Sequence, residues 1–402
     1  MLEHAAACAV ITRNYASYAR VLADSYFAHY PEGRFYLTVL DGPPNPALPA
    51  RVRLIDPEAA CPHYWEMAVR YNPLELSCAI KPFLISTLLE TVNEPSVMYF
   101  DADVLILRRL REAEQMLEGA DVLLTPHILQ PIEPDGKQPD ELYILSGGVY
   151  NMGFCAIRKS ADSLRLLRWW ASRVRAGAGI DLAAGMFLDQ RWADLIPALF
   201  PFAAILRDET YNLAFWNLQE RPLQQSEGSF EIHGRPVAFF HFSGLDIDAR
   251  AFRKTHQTRV SVIPGSPLAA LISQYADLHQ RHGLSDCVSL GTALDSFDNG
   301  VRFHPLLRQL YLDIDETRRR AFGNPFQTGN PECFFEWAVQ PNPTAPFLRV
   351  VYDAVPELHA RFPDMEQADQ AAFVDWARTD GAQKLGFDPA LVRDRGCGQV
   401  GA

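Results

Sequence analysis

Short apolar runs alternate with helical patterns through the first half of this 402-residue chain, and this alternation limits the folds open to it. Apolar runs typical of buried strands cover residues 6–12, 35–40, 51–55, 97–100, 122–125, 149–157 and 237–242. Apolar residues at helical spacing mark 15–29, 76–90, 161–174 and 186–196. Strands separated by helices form βαβ units with parallel strands. The sequence therefore predicts an α/β fold, in which helices flank a mixed, mostly parallel sheet.

The character of the chain changes beyond about residue 265. Helical patterns over 268–282, 304–321 and 366–377 are separated by connections rich in Pro, Gly and Asn. We therefore predict two domains: a sheet-containing domain over residues 1–265, and a mainly helical extension over residues 266–402.

Composition and charge argue against several classes of protein. With 48% hydrophobic and 21% charged residues the chain is typical of a soluble globular protein, and its net charge of −12 argues against nucleic-acid binding. Its seven cysteines form no CxxC pair, which suits reduced thiols in the cytosol and argues against a zinc site. We see neither a leader pattern nor 18 consecutive uncharged apolar residues, so we expect a cytoplasmic protein. Peripheral membrane contact and oligomeric state are left open.

Two carboxylates, Asp101 and Asp103, interrupt the apolar run over 96–107. In an extended chain, side chains two residues apart point to the same face. Carboxylates held close together in apolar surroundings are costly unless a cation lies between them. A hard divalent cation suits such oxygen ligands and could also bind a phosphate. The alternative is a pair of solvated Asp residues at a strand end.

Polar groups also follow or precede other predicted strands. They lie at 12–15, at 101–103, before Asn151 and at 241–244. Ligands of open α/β sheets bind beyond the carboxyl ends of the strands, so we expect these groups to surround one pocket. Neither G-x-G-x-x-G nor a P-loop occurs, and dinucleotide-dehydrogenase and P-loop functions lack support.

Segment 99–105 (YFDADVL) resembles the DxD motif of GT-A glycosyltransferases, which use nucleotide-sugar donors. Further motifs, in the same order over residues 6–260, resemble the retaining branch that contains glycogenin and bacterial lipopolysaccharide galactosyltransferases. The resemblance implies a GT-A, Rossmann-like fold. It also implies a cofactor, Mn²⁺ or Mg²⁺, with Asp101, Asp103 and His241 as metal ligands.

The same resemblance assigns roles to other side chains. The implied donor-binding residues are Thr12, Asn14, Tyr15, Lys81, Asp101, Ala102, Asn151, Gly153, Gly244, Lys254 and His256. Tyr15 would stack on the nucleobase, while Lys254 and His256 would bind the diphosphate. Asp189 would bind hydroxyls of the donor sugar and Gln190 would lie near its anomeric carbon, so these two are the catalytic candidates.

Several of these residues have a structural alternative. Tyr15 could be an aromatic residue packed on the core at a helix start. Lys81 could extend its ammonium group to water. Asp189 could cap a helix N-terminus. His241, a lone histidine in an apolar strand, could be a core residue.

The resemblance therefore implies a metal-dependent hexosyltransferase. It would move a hexose from a nucleotide-diphosphate sugar, a UDP-sugar above all, to an acceptor hydroxyl with retention, in glycan or surface-polysaccharide synthesis. The acceptor could be a glycan, a lipid-linked molecule or a protein. One alternative is a non-catalytic nucleotide-sugar-binding or scaffold protein of the same fold. Another is a nucleotidyltransferase, but residues 9–14 lack the Gly-rich basic loop that it needs.

Overall fold

The computed structural model describes residues 5–44, 48–255, 257–341 and 344–393. The chain divides into two compact units. The first comprises the described residues of Met1–Tyr64 and Pro73–Thr292, and the second those of Trp65–Asn72 and Ala293–Ala402. The domain boundary at residue 265 stays a prediction.

The first unit contains all the strands that we name. In chain order they are β1 (Ala6–Ile11), β2 (Phe35–Val39), β3 (Val52–Leu54), β4 (Ser96–Phe100), β5 (Val104–Ile106), β6 (Val122–Pro126), β7 (Tyr150–Arg158), β8 (Ile180–Asp181), β9 (Met186–Phe187), β10 (Ala203–Ile205), β11 (Leu223–Ser226), β12 (Ser229–Ile232), β13 (Arg235–Pro236), β14 (Phe239–His241), β15 (Leu245–Asp246) and β16 (Ala251–Phe252).

The described helices, again in chain order, begin with α1 (Ala16–His29), α2 (Pro57–Ala60), α3 (Tyr64–Arg70), α4 (Pro73–Glu90), α5 (Arg111–Met116), α6 (Glu141–Gly147), α7 (Ala161–Gly177), α8 (Gln190–Ala193), α9 (Ile196–Leu199), α10 (Pro267–Arg281) and α11 (Leu284–Val288). The remaining helices are α12 (Pro305–Asp313), α13 (Glu316–Phe322), α14 (Phe334–Val339), α15 (Pro346–Ala354), α16 (Glu357–Arg361), α17 (Gln370–Trp376) and α18 (Ala382–Leu385).

A seven-stranded sheet with the order β10-β6-β7-β4-β1-β2-β3 forms the centre of the first unit. Strand β7 is antiparallel to both β4 and β6, and the other neighbours in this sheet are parallel. All six residues of β1 are buried, which explains their unbroken apolar sequence, because a central strand of such a sheet is covered on both faces. The predicted mixed, mostly parallel sheet is confirmed.

The direction of β7 determines which segments of the chain lie together at one edge of this sheet. Strands β1 and β4 are parallel, so their carboxyl ends lie at the same edge. Because β7 is antiparallel to β4 and pairs Phe154 with Phe100, its first residues also lie at that edge. The segments after Ile11, after Phe100 and before Phe154 therefore come together.

Helix α10 belongs to the core of the first unit, although it lies beyond residue 265. Its Leu271, Ile272 and Tyr275 are buried in one cluster with Phe240 and Phe242. The ring centroids of Phe242 and Tyr275 are 3.7 Å apart, and the two rings are stacked.

The helix predicted over 186–196 is wrong. Residues 186–187 form β9, which pairs with β8, and α8 begins only at Gln190. Leu188, between them, has a φ of +54°, which an α-helix does not tolerate. Local apolar spacing cannot reveal a left-handed residue that interrupts the pattern.

The second unit is mainly helical, as predicted for the C-terminal part. Its core is rich in aromatic side chains, and Phe303 packs against both Phe326 and Phe334. Trp65, which precedes α4 in the chain, belongs to this unit and lies with its ring 6.3 Å from that of Phe326. None of the described helices in either unit has the length and apolar character needed to cross a bilayer.

Candidate metal and donor site

Asp101 and Asp103 lie in the short connection between β4 and β5. The backbone N–H of Asp101 donates to the carbonyl of Gly153 over 2.8 Å, and that of Phe242 donates to the carbonyl of Asp103 over 2.8 Å. The two Asp side chains are 31% and 27% exposed, whereas Ala102 between them is buried. The segment is a turn and not the extended chain assumed from the i, i+2 spacing: the backbone N–H of Val104 donates to the carbonyl of Asp101 over 3.3 Å.

His241 completes this group from β14. That strand pairs antiparallel with β5, and the pairing places His241 opposite Val104. The imidazole Nε2 lies 3.0 Å from Asp103 Oδ1 and 3.9 Å from Asp101 Oδ2. One ligand atom from each residue lies within 4.8 Å of the other two, so the Asp-Asp-His cluster could hold a metal ion.

The two carboxylates and the imidazole suit a hard or borderline divalent cation as ligands. Carboxylate oxygens suit Mg²⁺ and Mn²⁺, and an imidazole beside them favours Mn²⁺ somewhat. Burial lowers the pKa of His241, but the carboxylate of Asp103 outweighs this effect and raises it. A proton and a metal ion would therefore compete for Nε2.

Gly153 makes room for the His241 ring. A β-carbon at this position of β7 would lie 2.3 Å from His241 Cε1 and 2.8 Å from Nδ1, closer than real β-carbons approach other atoms. Close approach to the backbone was predicted here for the donor. In the structure it is the imidazole that lies against the glycine.

Lys81 forms a buried charge cluster with two carboxylates. Its Nζ lies 3.3 Å from Asp101 Oδ1 and 3.3 Å from Asp189 Oδ2, and it donates to the carbonyl of Met152 over 3.1 Å. The side chain is 2% exposed, which does not fit an ammonium group extended to water. Burial lowers the pKa of Lys81, but the two carboxylates outweigh this effect and raise it well above its ordinary value. Lys81 is therefore a cation.

Asp189 is the second carboxylate beside this lysine. It immediately precedes α8, but its side chain accepts no capping hydrogen bond from that helix, so the capping alternative does not describe it. The residue is 1% exposed, and burial raises the pKa of Asp189 to about 6 even though Lys81 lowers it. Gln190, which follows, is buried at the start of α8 and donates from Nε2 to the carbonyl of Gly147 over 2.5 Å.

Asn151 is buried at the start of β7 and engaged at both ends of its amide. Its Oδ1 accepts hydrogen bonds from Gly153 N and from Asn212 Nδ2, each over 3.0 Å. Its Nδ2 lies 3.1 Å from His127 Nε2. The hydrogen bond to a sugar hydroxyl expected of Asn151 stays a prediction.

The segment after β1 presents an aromatic ring. Thr12 is buried, and its hydroxyl donates to Asn14 Oδ1 over 2.6 Å. Tyr15 is 43% exposed, with its ring 4.7 Å from that of Tyr18, so it is not an ordinary core aromatic. Burial raises the pKa of Tyr15, and the charge of Asp103 raises it further.

The remaining predicted residues follow β14. Gly244 has a φ of +69°, which favours glycine, and its carbonyl accepts from the backbone N–H of Arg253 over 3.0 Å. Lys254 is exposed and comes two residues after β16. His256 lies outside the described residues.

Sequence analysis missed Asn212 and His127. Asn212 is fully buried, with its Oδ1 3.2 Å from His241 Nδ1. It lies in the apolar segment 211–217 (YNLAFWN), where a buried asparagine is itself a signal, because an amide away from water needs hydrogen-bond partners. His127 is also buried, and burial lowers its pKa to about 4.

Comparison with known proteins gives distant similarities. No family model matches the chain. An uncharacterized protein of Bacillus subtilis (strain 168), YfnF, is 25% identical over 193 residues, which are 47% of this chain; the chain spans 63% of the length of that relative. Among solved structures, the galactosyltransferase LgtC in complex with donor and acceptor sugar analogues is 16% identical, with a TM-score of 0.39, over 68% of this chain and 95% of that one.

Two further solved structures are similar at the same level. Mouse xyloside xylosyltransferase 1 is 15% identical, with a TM-score of 0.36, over 60% of this chain and 97% of that one. A glycosyltransferase involved in the glycosylation of the major capsid of PBCV-1 is 11% identical, with a TM-score of 0.36, over 68% of this chain and 99% of that one. At this level of similarity, a functional assignment depends on the geometry of the site.

Proposed function

We propose that the protein is a metal-dependent glycosyltransferase of the GT-A type. It transfers a hexose from a nucleotide-diphosphate sugar, preferably a UDP-sugar, to an acceptor hydroxyl with retention. The single observation that supports this most is the convergence of Asp101 and Asp103, from the connection that follows β4, with His241 of β14. An open α/β sheet binds its ligands beyond the carboxyl ends of its strands.

Asp101, Asp103 and His241 would hold Mn²⁺ or Mg²⁺, which would neutralise the diphosphate as it leaves. Asp101 and Asp189 share one lysine cation, so the buried cluster carries a net negative charge before a metal binds. That charge favours a divalent cation over a bare anion. It also makes Lys81 a residue that fixes the two carboxylates, because its Nζ is already committed to them.

The donor would extend away from these ligands along the sheet edge. The half-exposed ring of Tyr15 is suited to stack on a nucleobase, while Thr12 and Asn14 turn the chain beside it. Lys254, being exposed, can approach a diphosphate without giving up a buried partner.

Asp189 and Gln190 are the proposed groups at the donor sugar. In a front-face reaction the acceptor hydroxyl attacks the anomeric carbon on the side of the leaving group. The bond from that carbon to the phosphate oxygen breaks, the new glycosidic bond forms, and the hydroxyl proton passes to the leaving diphosphate. The dipole of the Gln190 side chain would act where positive charge develops on the sugar.

The pathway and the compartment are parts of the same proposal. We infer a role in glycan or surface-polysaccharide synthesis in the cytoplasm. The short segments 303–308 and 324–326 resemble a region that follows glycosyltransferase modules in larger bacterial surface-polysaccharide proteins.

The test is release of nucleoside diphosphate from a panel of nucleotide sugars, with and without Mn²⁺. We expect metal-dependent release with at least one donor, and a loss of roughly a hundredfold or more in the Asp101→Asn/Asp103→Asn variant. Asp313→Asn/Asp315→Asn is a matched control, because these residues repeat the D-x-D spacing at exposed positions of the second unit. Donor binding without turnover would favour the non-catalytic alternative. Full activity in the Asp101→Asn/Asp103→Asn variant would contradict the proposal.

A further inference from the structure

We propose that Asn212 is a positioning residue, which fixes the tautomer and the ring orientation of His241 so that its Nε2 faces Asp101 and Asp103. The inference rests on the proposed function only in taking His241 as a metal ligand. It rests on a series of buried hydrogen bonds, in which the donor and acceptor atoms of each bond follow from those of the bond before.

The first hydrogen bond of this series is donated by the backbone of Gly153. A backbone N–H can only donate, and this one meets the side chain of Asn151 over 3.0 Å. The atom that it meets must therefore be the acceptor Oδ1, and the other end of the Asn151 amide must be the donor Nδ2. The orientation of Asn151 follows from a group whose hydrogen is fixed.

The next hydrogen bond determines the orientation of the Asn212 amide. The Oδ1 of Asn151 can only accept, so the Asn212 atom 3.0 Å away must be the donating Nδ2. The same Nδ2 also lies 3.0 Å from the hydroxyl of Thr125. The Oδ1 of Asn212 is then left to face His241.

The last bond decides the tautomer of His241. Asn212 Oδ1 can only accept, so His241 Nδ1, 3.2 Å away, must carry a hydrogen. Asp103 Oδ1, 3.0 Å from Nε2, also only accepts, so without a metal Nε2 carries a second hydrogen; when that hydrogen leaves, the lone pair is on Nε2, which faces Asp101 and Asp103. Metal-ligating histidines commonly donate their other ring N–H to such a fixed acceptor.

The hydrogen bonds of His127 are consistent with the same orientation of the Asn151 amide. Because Asn151 Nδ2 donates, His127 Nε2, 3.1 Å away, must accept. His127 Nδ1 then donates to the carbonyl of Val149 over 3.3 Å. A neutral His127 is required for this arrangement, and burial lowers the pKa of that residue.

The backbone beside Asn212 holds His241 as well. The N–H of His241 donates to the carbonyl of Leu213 over 2.8 Å. Asn212 itself has a φ of +52°, a conformation that asparagine tolerates better than most residues. Main chain and side chain at 212–213 thus fix both ends of the His241 residue.

Three substitutions separate positioning from stability. Asn212→Gly removes the acceptor without straining a left-handed backbone. Asn212→Asp keeps an acceptor for His241 Nδ1 but replaces the donor Nδ2 by a second acceptor, which faces Asn151 Oδ1. Thr125→Val removes a partner of Asn212 Nδ2 but leaves the bond to His241 in place.

The measurements use the full chain. They are the Kd for Mn²⁺, the melting temperature, and the ¹⁵N chemical shifts that report the tautomer of His241. We expect Asn212→Gly to weaken Mn²⁺ binding about tenfold to a hundredfold and to lose the Nδ1–H tautomer. Asn212→Asp should lower the melting temperature, because the donor to Asn151 is lost, yet bind Mn²⁺ more tightly than Asn212→Gly; Thr125→Val should lower the melting temperature with little change in Kd.

Two results would overturn the inference. One is an Asn212→Gly protein that binds Mn²⁺ like the native protein and keeps the tautomer. The other is a Thr125→Val protein that loses as much affinity as Asn212→Gly, which would mean a merely structural role. If the native protein binds no Mn²⁺, the proposed function fails, but the ¹⁵N shifts of the native and Asn212→Gly proteins, recorded at a pH high enough for the imidazole to be neutral, still decide whether Asn212 orients His241.

Discussion

The ammonium of Lys81 lies 3.3 Å from the carboxylate of Asp189, and both side chains are almost completely buried. The same ammonium lies 3.3 Å from Asp101. One cation thus serves two carboxylates from different parts of the chain, one at the end of β4 and one before α8. Because charges away from water are costly without a partner, this cluster depends on each of its members.

Replacing Lys81 by methionine should destabilise the protein strongly. It leaves two carboxylates without their cation, and breaking a buried ion pair on one side costs about 3–5 kcal/mol. Urea unfolding of Lys81→Met measures this loss. The exposed Lys159→Met is the control and should change the free energy of unfolding little. A Lys81→Met/Asp189→Asn protein should recover part of the loss; no recovery would show that the two residues are not coupled.

The position of Asp189 also predicts a pH dependence of stability. Its pKa of about 6 in the folded protein lies above the ordinary value of an aspartate. Between the two pKa values the folded state therefore holds a proton that the unfolded chain has released. The contribution of this proton to the free energy of unfolding is present at low pH and lost as the pH rises to about 6. Relative to Asp189→Asn, the native protein should lose on the order of 2–3 kcal/mol between pH 4 and pH 7. Parallel curves of unfolding free energy against pH for the two proteins would contradict this.

Gly153→Ala should impair metal binding through His241. The new methyl group would lie 2.3 Å from His241 Cε1, so either the strand or the ring must move. We expect a loss of stability of about 1–3 kcal/mol and a Kd for Mn²⁺ at least about tenfold higher. Gly119→Ala is the control, since the nearest atom to its added methyl group is 4.0 Å away. Unchanged Mn²⁺ affinity in Gly153→Ala would show that the ring adapts without cost.

The sequence predicted the fold from local patterns that survive in the structure. The apolar run of β1 and the helical spacing of apolar residues in α1 and α4 follow from which residues are buried. That pattern can be read from the apolar or polar character of each residue. The left-handed Leu188 is different. It directly follows β9, whose pairing with β8 is a contact that no local pattern of apolar residues contains.

The site was predictable only as a set of residues. The i, i+2 spacing of Asp101 and Asp103 predicted that the two carboxylates lie together, but a turn and not an extended strand holds them, and what surrounds them depends on strand order. The antiparallel direction of β7 brings Gly153 to the His241 ring, and the buried position of Asn212 depends on the bridge from Leu213 to Phe240. These are long-range contacts, and a single sequence does not encode them in any local pattern.

The segment 130–141, which contains three prolines, is bound to the segment after Lys254. Both carboxylate oxygens of Asp135 accept from the guanidinium of Arg259 over 2.8 Å, and the backbone of Gln138 bonds with Thr258. Since exposed main-chain bonds alone hold a loop weakly, Arg259→Ala should raise the hydrogen-exchange rates of this segment about tenfold. Arg250→Ala, which removes an exposed pairing with Asp277 elsewhere, should leave them unchanged. Equal exchange in the native and Arg259→Ala proteins would mean that the backbone bonds suffice to hold the loop.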